Sequence, residues 1–155
     1  MNWGHYLFGF NGRLNRAKYW LWVLLYVIAA IVIAGIAYVI NSDSADVIVQ
    51  IVFGMAAFIS SLAVTTKRLH DRSKSAWWLV IFYFVPSILL GIGVGLTAYG
   101  AMSSGGTELG NTALIGSILI LAGAVFTLWA FVELGCLRGT TGANQYGPDP
   151  LEGRV

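Results

Sequence analysis

Polar side chains gather in short clusters along the 155-residue chain and leave four long stretches almost free of them. The stretches 19–40 and 47–66 carry no formal charge. The third, 76–99, is also uncharged and has Pro86 inside it, and the fourth, 113–135, contains one ionisable residue, Glu133, near its end. A helix rises roughly 1.5 Å per residue, so about 20 apolar residues cross the hydrocarbon of a bilayer. A buried strand needs only about 4–8 residues. Barrel strands would alternate polar and apolar positions, which these do not. The pattern predicts four membrane-spanning helices. Ahead of them, Trp3, Tyr6, Leu7 and Phe10 follow i, i+3, i+4, i+7 spacing and stop at Asn11-Gly12, which predicts a short amphipathic helix in the interface. Asn15 is placed to cap the first span through its side-chain oxygen.

Composition removes the soluble alternatives. The chain is 57% apolar and only 10% charged, with a mean hydropathy of +0.76. Soluble domains run at roughly 45–50% and about 25%. One cysteine and three prolines exclude a disulfide scaffold and a collagen-like repeat.

Charge placement sets the expected topology. The nine bases are Arg13, Arg16 and Lys18 before the first span, Lys67, Arg68, Arg72 and Lys74 between the second and third, and Arg138 and Arg154 after the fourth. The first and third connections (41–46 and 100–112) have none. Bases favour the cytoplasmic side, so both termini are expected there. The first apolar run is too long for a cleaved signal core and reads as an uncleaved anchor. Trp20, Trp22, Trp77 and Trp78 fall where aromatic belts sit. The fold expected is an all-α membrane protein, a four-helix transmembrane bundle in one membrane domain, with 1–18 as a cytoplasmic interfacial segment and 136–155 as a cytoplasmic tail.

Two basic segments look alike: Arg13-Leu14-Asn15-Arg16-Ala17-Lys18-Tyr19-Trp20 and Arg68-Leu69-His70-Asp71-Arg72-Ser73-Lys74-Ser75-Ala76-Trp77. They fit two hairpins of equal orientation, and equally what any span starting on the basic side shows. Three motifs carry a more specific resemblance. Phe10-Asn11-Gly12-Arg13 through Arg16 to Tyr19-Trp20 is similar to the opening signature of the bacterial inner-membrane family called domain of unknown function 805. Lys67-Arg68-Leu69-His70-Asp71 with Ser75-Ala76-Trp77-Trp78 resembles that family's Arg-Leu-His-Asp…Ser-Gly-Trp-Trp loop, with Ala76 standing where the family usually has Gly. The ending Gly139-Thr140-Thr141-Gly142-Ala143-Asn144-Gln145-Tyr146-Gly147-Pro148-Asp149-Pro150 resembles its C-terminal motif. The resemblance implies a small multi-pass membrane protein and no reaction. It also favours a tail folded back over the Arg-Leu-His-Asp segment.

Candidate chemistry concentrates in those segments. Arg13, Arg16, Lys18, Arg68 and Arg72, with His70 and Asp71 shaping the site, would form a basic pocket suited to a phosphate, because guanidinium groups offer planar paired donors. Expected partners are membrane lipids, especially anionic headgroups, a phosphorylated ligand, a second copy or another membrane protein, and not nucleic acid. No cofactor, metal site or catalytic set is expected, since one cysteine and two distant histidines make no metal cluster. Asp71 is expected to pair with Arg68 or Arg72. Glu133, an acid inside a span, is expected to pair with Arg13, Arg68 or Arg138. The favoured reading is a non-catalytic binding module. Behind it stand a small oligomeric transporter or channel using Glu133 and the stretch from Pro86 to Gly95, and a membrane enzyme using His70 and Asp71.

Overall fold

The structure, a computed structural model, describes residues 2–40, 43–103 and 110–153. These residues are helical except for turns and one isolated bridge between Asn144 and Gly147. Helix α1 is Trp3–Phe8, α2 is Arg16–Ile40 and α3 is Asp43–Asp71. A π-helical turn, Val80–Phe84, leads into α4, Val85–Ser103. Helix α5, Asn111–Phe131, runs on into a second π-helical turn, Val132–Cys136. Four of these helical segments are long and apolar enough to cross a membrane. The chain is a multi-pass, all-α membrane protein, as its hydropathy pattern predicts. Parts of the two connections assigned to the outside, 41–42 and 104–109, lie outside the described residues, as does Arg154. Two compact units make up the chain: Met1–Ala76 with Leu137–Val155, and Trp77–Cys136.

In the first unit α1 and α2 both pack on α3. Tyr6, Leu14 and Val64 are buried together, with Leu7, Tyr19 and Trp22 against them. The outer positions of α2, such as Ile31, Val32 and Ile36, stay exposed. An apolar side chain facing hydrocarbon needs no protein cover, so the exposed rows fit a lipid solvent. Helix α2 starts where expected: Asn15 Oδ1 accepts the Lys18 amide at 2.9 Å.

Two boundaries differ from the sequence expectation. Helix α1 ends at Phe8, before Phe10 and the Asn11-Gly12 stop. At that end the Lys67 ammonium takes up the carbonyls, donating to those of His5 at 2.8 Å and Tyr6 at 2.7 Å. The Tyr6 carbonyl is the one a longer helix would give to the Phe10 amide. Helix α3 runs the other way, five residues past the apolar limit at 66, because its bases are bonded rather than solvated. It closes in a Schellman turn, with the Ser73 amide on the His70 carbonyl (3.0 Å) and the Lys74 amide on the Leu69 carbonyl (2.9 Å). Ser73 takes the left-handed position, at φ 56°.

In the second unit α4 and α5 pack closely through small residues. A Cβ on Gly93 would lie 2.8 Å from the Gly116 carbonyl oxygen, and one on Gly100 would lie 2.7 Å from the Ala113 amide. The Gly91-x-x-x-Gly95 spacing, which in sequence is the pattern that permits such an approach, lies two residues out of register with these contacts. A Cβ at either meets nothing within 4 Å. Gly93→Ala is therefore expected to lower the thermal midpoint in detergent, by about 1–3 kcal/mol of overpacking, with Gly91→Ala unchanged. Equal midpoints for the pair would contradict this packing. Pro86 has no amide hydrogen to give the preceding turn, and the π-helical turn before it absorbs the mismatch. Ser87 Oγ donates to the Tyr83 carbonyl at 2.6 Å, the usual bond of a helical serine to the turn before it. Phe82 and Trp78 meet Trp129 edge-on, with centroids 5.2 and 5.7 Å away.

Candidate functional site

The Arg-Leu-His-Asp segment is the last turn of α3, and its side chains diverge to bind the rest of the first unit together. Asp71 is at the centre. Its Oδ1 accepts Arg13 Nε at 3.1 Å and its Oδ2 accepts Arg68 Nη1 at 2.6 Å. These side chains are nearly inaccessible, at 1% exposure for Arg13, 0% for Arg68 and 4% for Asp71. Arg72, the other partner expected for Asp71, donates instead to the Arg138 carbonyl at 2.7 Å.

The tail folds back over this turn. Thr140 gives its amide to the Asp71 carbonyl at 2.8 Å, and Asn144 Nδ2 reaches the His70 carbonyl at 2.9 Å. Tyr146 lies flat on His70, the ring centroids 3.8 Å apart and the planes 2° from parallel. Arg13 completes the closure by donating to the carbonyls of Thr140, Gly142 and Gly147. Arg68 donates to the Leu137 carbonyl. Gly139 is where the chain passes Asp71, and a Cβ there would fall inside the carboxylate. Asp149 shapes the far end of the tail. It accepts the amides of Leu151 (2.9 Å) and Gly142 (3.0 Å), and the Leu151 amide foremost holds its carboxyl below the usual range.

His70 turns away from Asp71, with Nδ1 3.3 Å from the Gly12 carbonyl oxygen. That divergence is expected of neighbours on a helix and leaves no His–Asp relay. Glu133 lies in the Val132–Cys136 turn and is 5% exposed.

Two pockets border this assembly. One, about 130 Å³, is lined by Arg16 and Arg138 but also by Asp71 and Asp149, so its charges offset. The other, about 160 Å³, lies beside α1 and is lined by Asn2, His5, Tyr6, Asn11, Gly12, Arg13, Leu14, Lys18 and Lys67. It has three bases and no acid. All five N–H groups of Arg13 are committed, to Asp71, Thr140, Gly142 and Gly147, so it contributes field and no donor. An ammonium has three N–H groups, and Lys67 spends two on α1. Tyr6 donates its hydroxyl to the Lys18 carbonyl, and burial raises its pKa above the ordinary phenol value. Of the residues expected to bind an anion, the structure thus gives Arg13 and Arg68 carboxylate and carbonyl partners, and puts Lys18 on the acid-free pocket and Arg16 on the charge-balanced one. Lys67, Tyr6 and His5 line the acid-free pocket too; charge patterning marks Lys67 as a cytoplasmic base and spacing puts Tyr6 on the short helix, but neither brings the two together, and His5 carried no signal. Lys67 stands one residue past the apolar limit, in the part of α3 that hydropathy does not mark.

A family model described as "Protein of unknown function (DUF805)" matches residues 7–148. The chain belongs to this family. Three relatives from Escherichia coli strain K12 match over nearly their whole length. "Inner membrane protein YhaH" is 26% identical over 92% of this chain and 87% of its own. "Inner membrane protein YhaI" is 28% identical over 94% and 88%. "Uncharacterized protein YiiR" is 26% identical over 93% and 87%. No solved structure matches the chain. The matched range takes in the Arg13 segment, the end of α3 and the Gly139–Gly147 turn, so this DUF805 member carries its family match through every segment that closes on Asp71.

Proposed function

We propose that this DUF805 protein is a non-catalytic binding module of the bacterial inner membrane, with both termini in the cytoplasm, that holds an anionic, phosphate-type group against its basic end. Placement in the inner membrane follows the names of YhaH and YhaI, and orientation follows the bases. The observation that carries the reading is the pocket beside α1, lined by Arg13, Lys18 and Lys67 with no acid among its residues. Lys18 and the remaining Lys67 N–H are the donors. The bonds among Arg13, Asp71, Arg68 and the tail hold the wall rigid. Each base near an anionic surface adds about 1 kcal/mol of attraction, or roughly five-fold in affinity. The test uses purified protein, with phosphatidylglycerol retention followed by native mass spectrometry and glycerol 3-phosphate binding followed by tryptophan fluorescence. Lys18→Gln is expected to weaken both about five-fold. Unchanged affinity for both ligands overturns the reading.

A further inference from the structure

The pocket that carries the proposed function has an apolar neighbour across the same short helix. Trp3, Leu7 and Phe8 of α1 line a cleft of about 250 Å³, walled below by Trp22, Leu25, Tyr26 and Ala29 of α2 and Phe53, Ala56, Ala57 and Ser60 of α3. Its aromatic wall is flat. Trp22 stacks on Tyr26 at 5.6 Å and 12°, and Tyr26 stacks on Phe53 at 5.9 Å and 7°. The Trp22 indole N–H is spent on Ser60 Oγ at 2.8 Å, so it is not turned into the cleft as an unmet donor. Three alanines, Ala29, Ala56 and Ala57, share the lining with these rings and take little of its space.

Depth and charge say what fills it. Trp22 to Ala29 lie six to thirteen residues into α2, about 9–20 Å from its basic start, within the hydrocarbon of one leaflet. An apolar void there forfeits dispersion contacts unless hydrocarbon enters it. Helix α1 is six residues long, about 9 Å, and it borders the apolar cleft with Trp3, Leu7 and Phe8 and the acid-free basic pocket with His5 and Tyr6. An amphiphile with an anionic head meets both along one helix.

We infer that the site takes a membrane phospholipid with an anionic headgroup, straddling α1: one acyl chain lies in the Trp22–Tyr26–Phe53 cleft and the headgroup lies against Lys18 and Lys67. The inference rests on the headgroup reading above and adds the chain. It makes α1 a bracket held by Lys67, Asn2 and Tyr6, gripping the lipid at the junction of head and tail.

The experiment fills the cleft without touching the bases. Ala57→Phe is expected to cut phosphatidylglycerol retention about ten-fold in native mass spectrometry, leaving glycerol 3-phosphate, which has no chains, bound as in the wild type. Ala29→Leu, on the opposite helix, repeats the test if Ala57→Phe lowers the yield of folded protein. Lys18→Gln weakens both ligands. Wild-type phosphatidylglycerol retention in the cleft variants overturns the chain site while the headgroup reading stands. Equal loss of phosphatidylcholine and phosphatidylglycerol, with Lys18→Gln silent, overturns the anionic-lipid assignment. Loss of glycerol 3-phosphate binding in the cleft variants overturns the division into two compartments.

Discussion

Asp71→Asn is expected to destabilise the first unit by about 3–5 kcal/mol, the cost of removing the anion from a buried charge cluster. The substitution keeps the shape and removes the charge that Arg13 and Arg68 share at 3.1 and 2.6 Å. Arg68 is fully buried and cannot turn to water, and Arg13 is held by three tail carbonyls. The amide of Asn would also set a donor against one of the two guanidinium groups. The measurement is trypsin cleavage after Arg138, an exposed residue whose carbonyl is tied to Arg72. Cleavage requires local opening of the tail, so its rate reports the opening free energy. Wild-type protein is expected to resist at that bond, and Asp71→Asn to be cut at least a hundred-fold faster. A wild-type rate would mean that the carboxylate does not hold the tail.

Gly139→Ala is the second large effect, and it reaches the same contact from the tail. The added methyl group would occupy the space of the Asp71 carboxylate, whose two oxygens are bonded to arginines and cannot withdraw without breaking those bonds. The backbone must move instead, which strains the Thr140 amide bond to the Asp71 carbonyl. The expected cost is about 2–4 kcal/mol, from overpacking plus a lost buried hydrogen bond. Gly142→Ala is a different substitution. Gly142 sits at φ +76° with open space around it, so the cost there is backbone strain of about 1 kcal/mol. The ranking in trypsin sensitivity, Gly139→Ala well above Gly142→Ala, separates a steric contact from a general dislike of alanine in this turn. Reversal of that ranking would refute the contact.

Much of the fold follows from solvent alone. Four stretches of membrane length, three uncharged and one with the single acid Glu133, are hard to place anywhere but in a bilayer, and their helices lie within a few residues of the apolar limits. The end of α3 is the instructive exception. Hydropathy stops at Thr66, yet the helix continues through Lys67 and Arg68, because their charges meet carbonyls from segments far away in sequence, with Asp71 one turn on from Arg68. No local pattern reports a partner 69 residues distant. The three segments that close on Asp71 are recognisable by their motifs, and the return of the tail and the Asp71–Arg68 pair follow from them, while the engagement of Arg13 with Asp71 and the tail carbonyls does not. Arg13 looked like a ligand donor by type and proved to have all its N–H groups bonded within the protein. The pocket beside α1 depends on where a six-residue helix ends and on the distant Lys67 that bonds its last carbonyls.

The closure on Asp71 also imposes an order on synthesis. Its partners come from residue 13, residues 68 to 71 and residues 137 to 147, and the last of these follow the final hydrophobic segment out of the ribosome. All four helices can thus be inserted while Arg13 and the end of α3 still await their carbonyl partners. A messenger cut short after Cys136 would yield a product that is fully anchored and lacks its tail clasp. Insertion of the four spans and closure of the Asp71 cluster thus draw on different lengths of chain, the second needing the residues after Cys136.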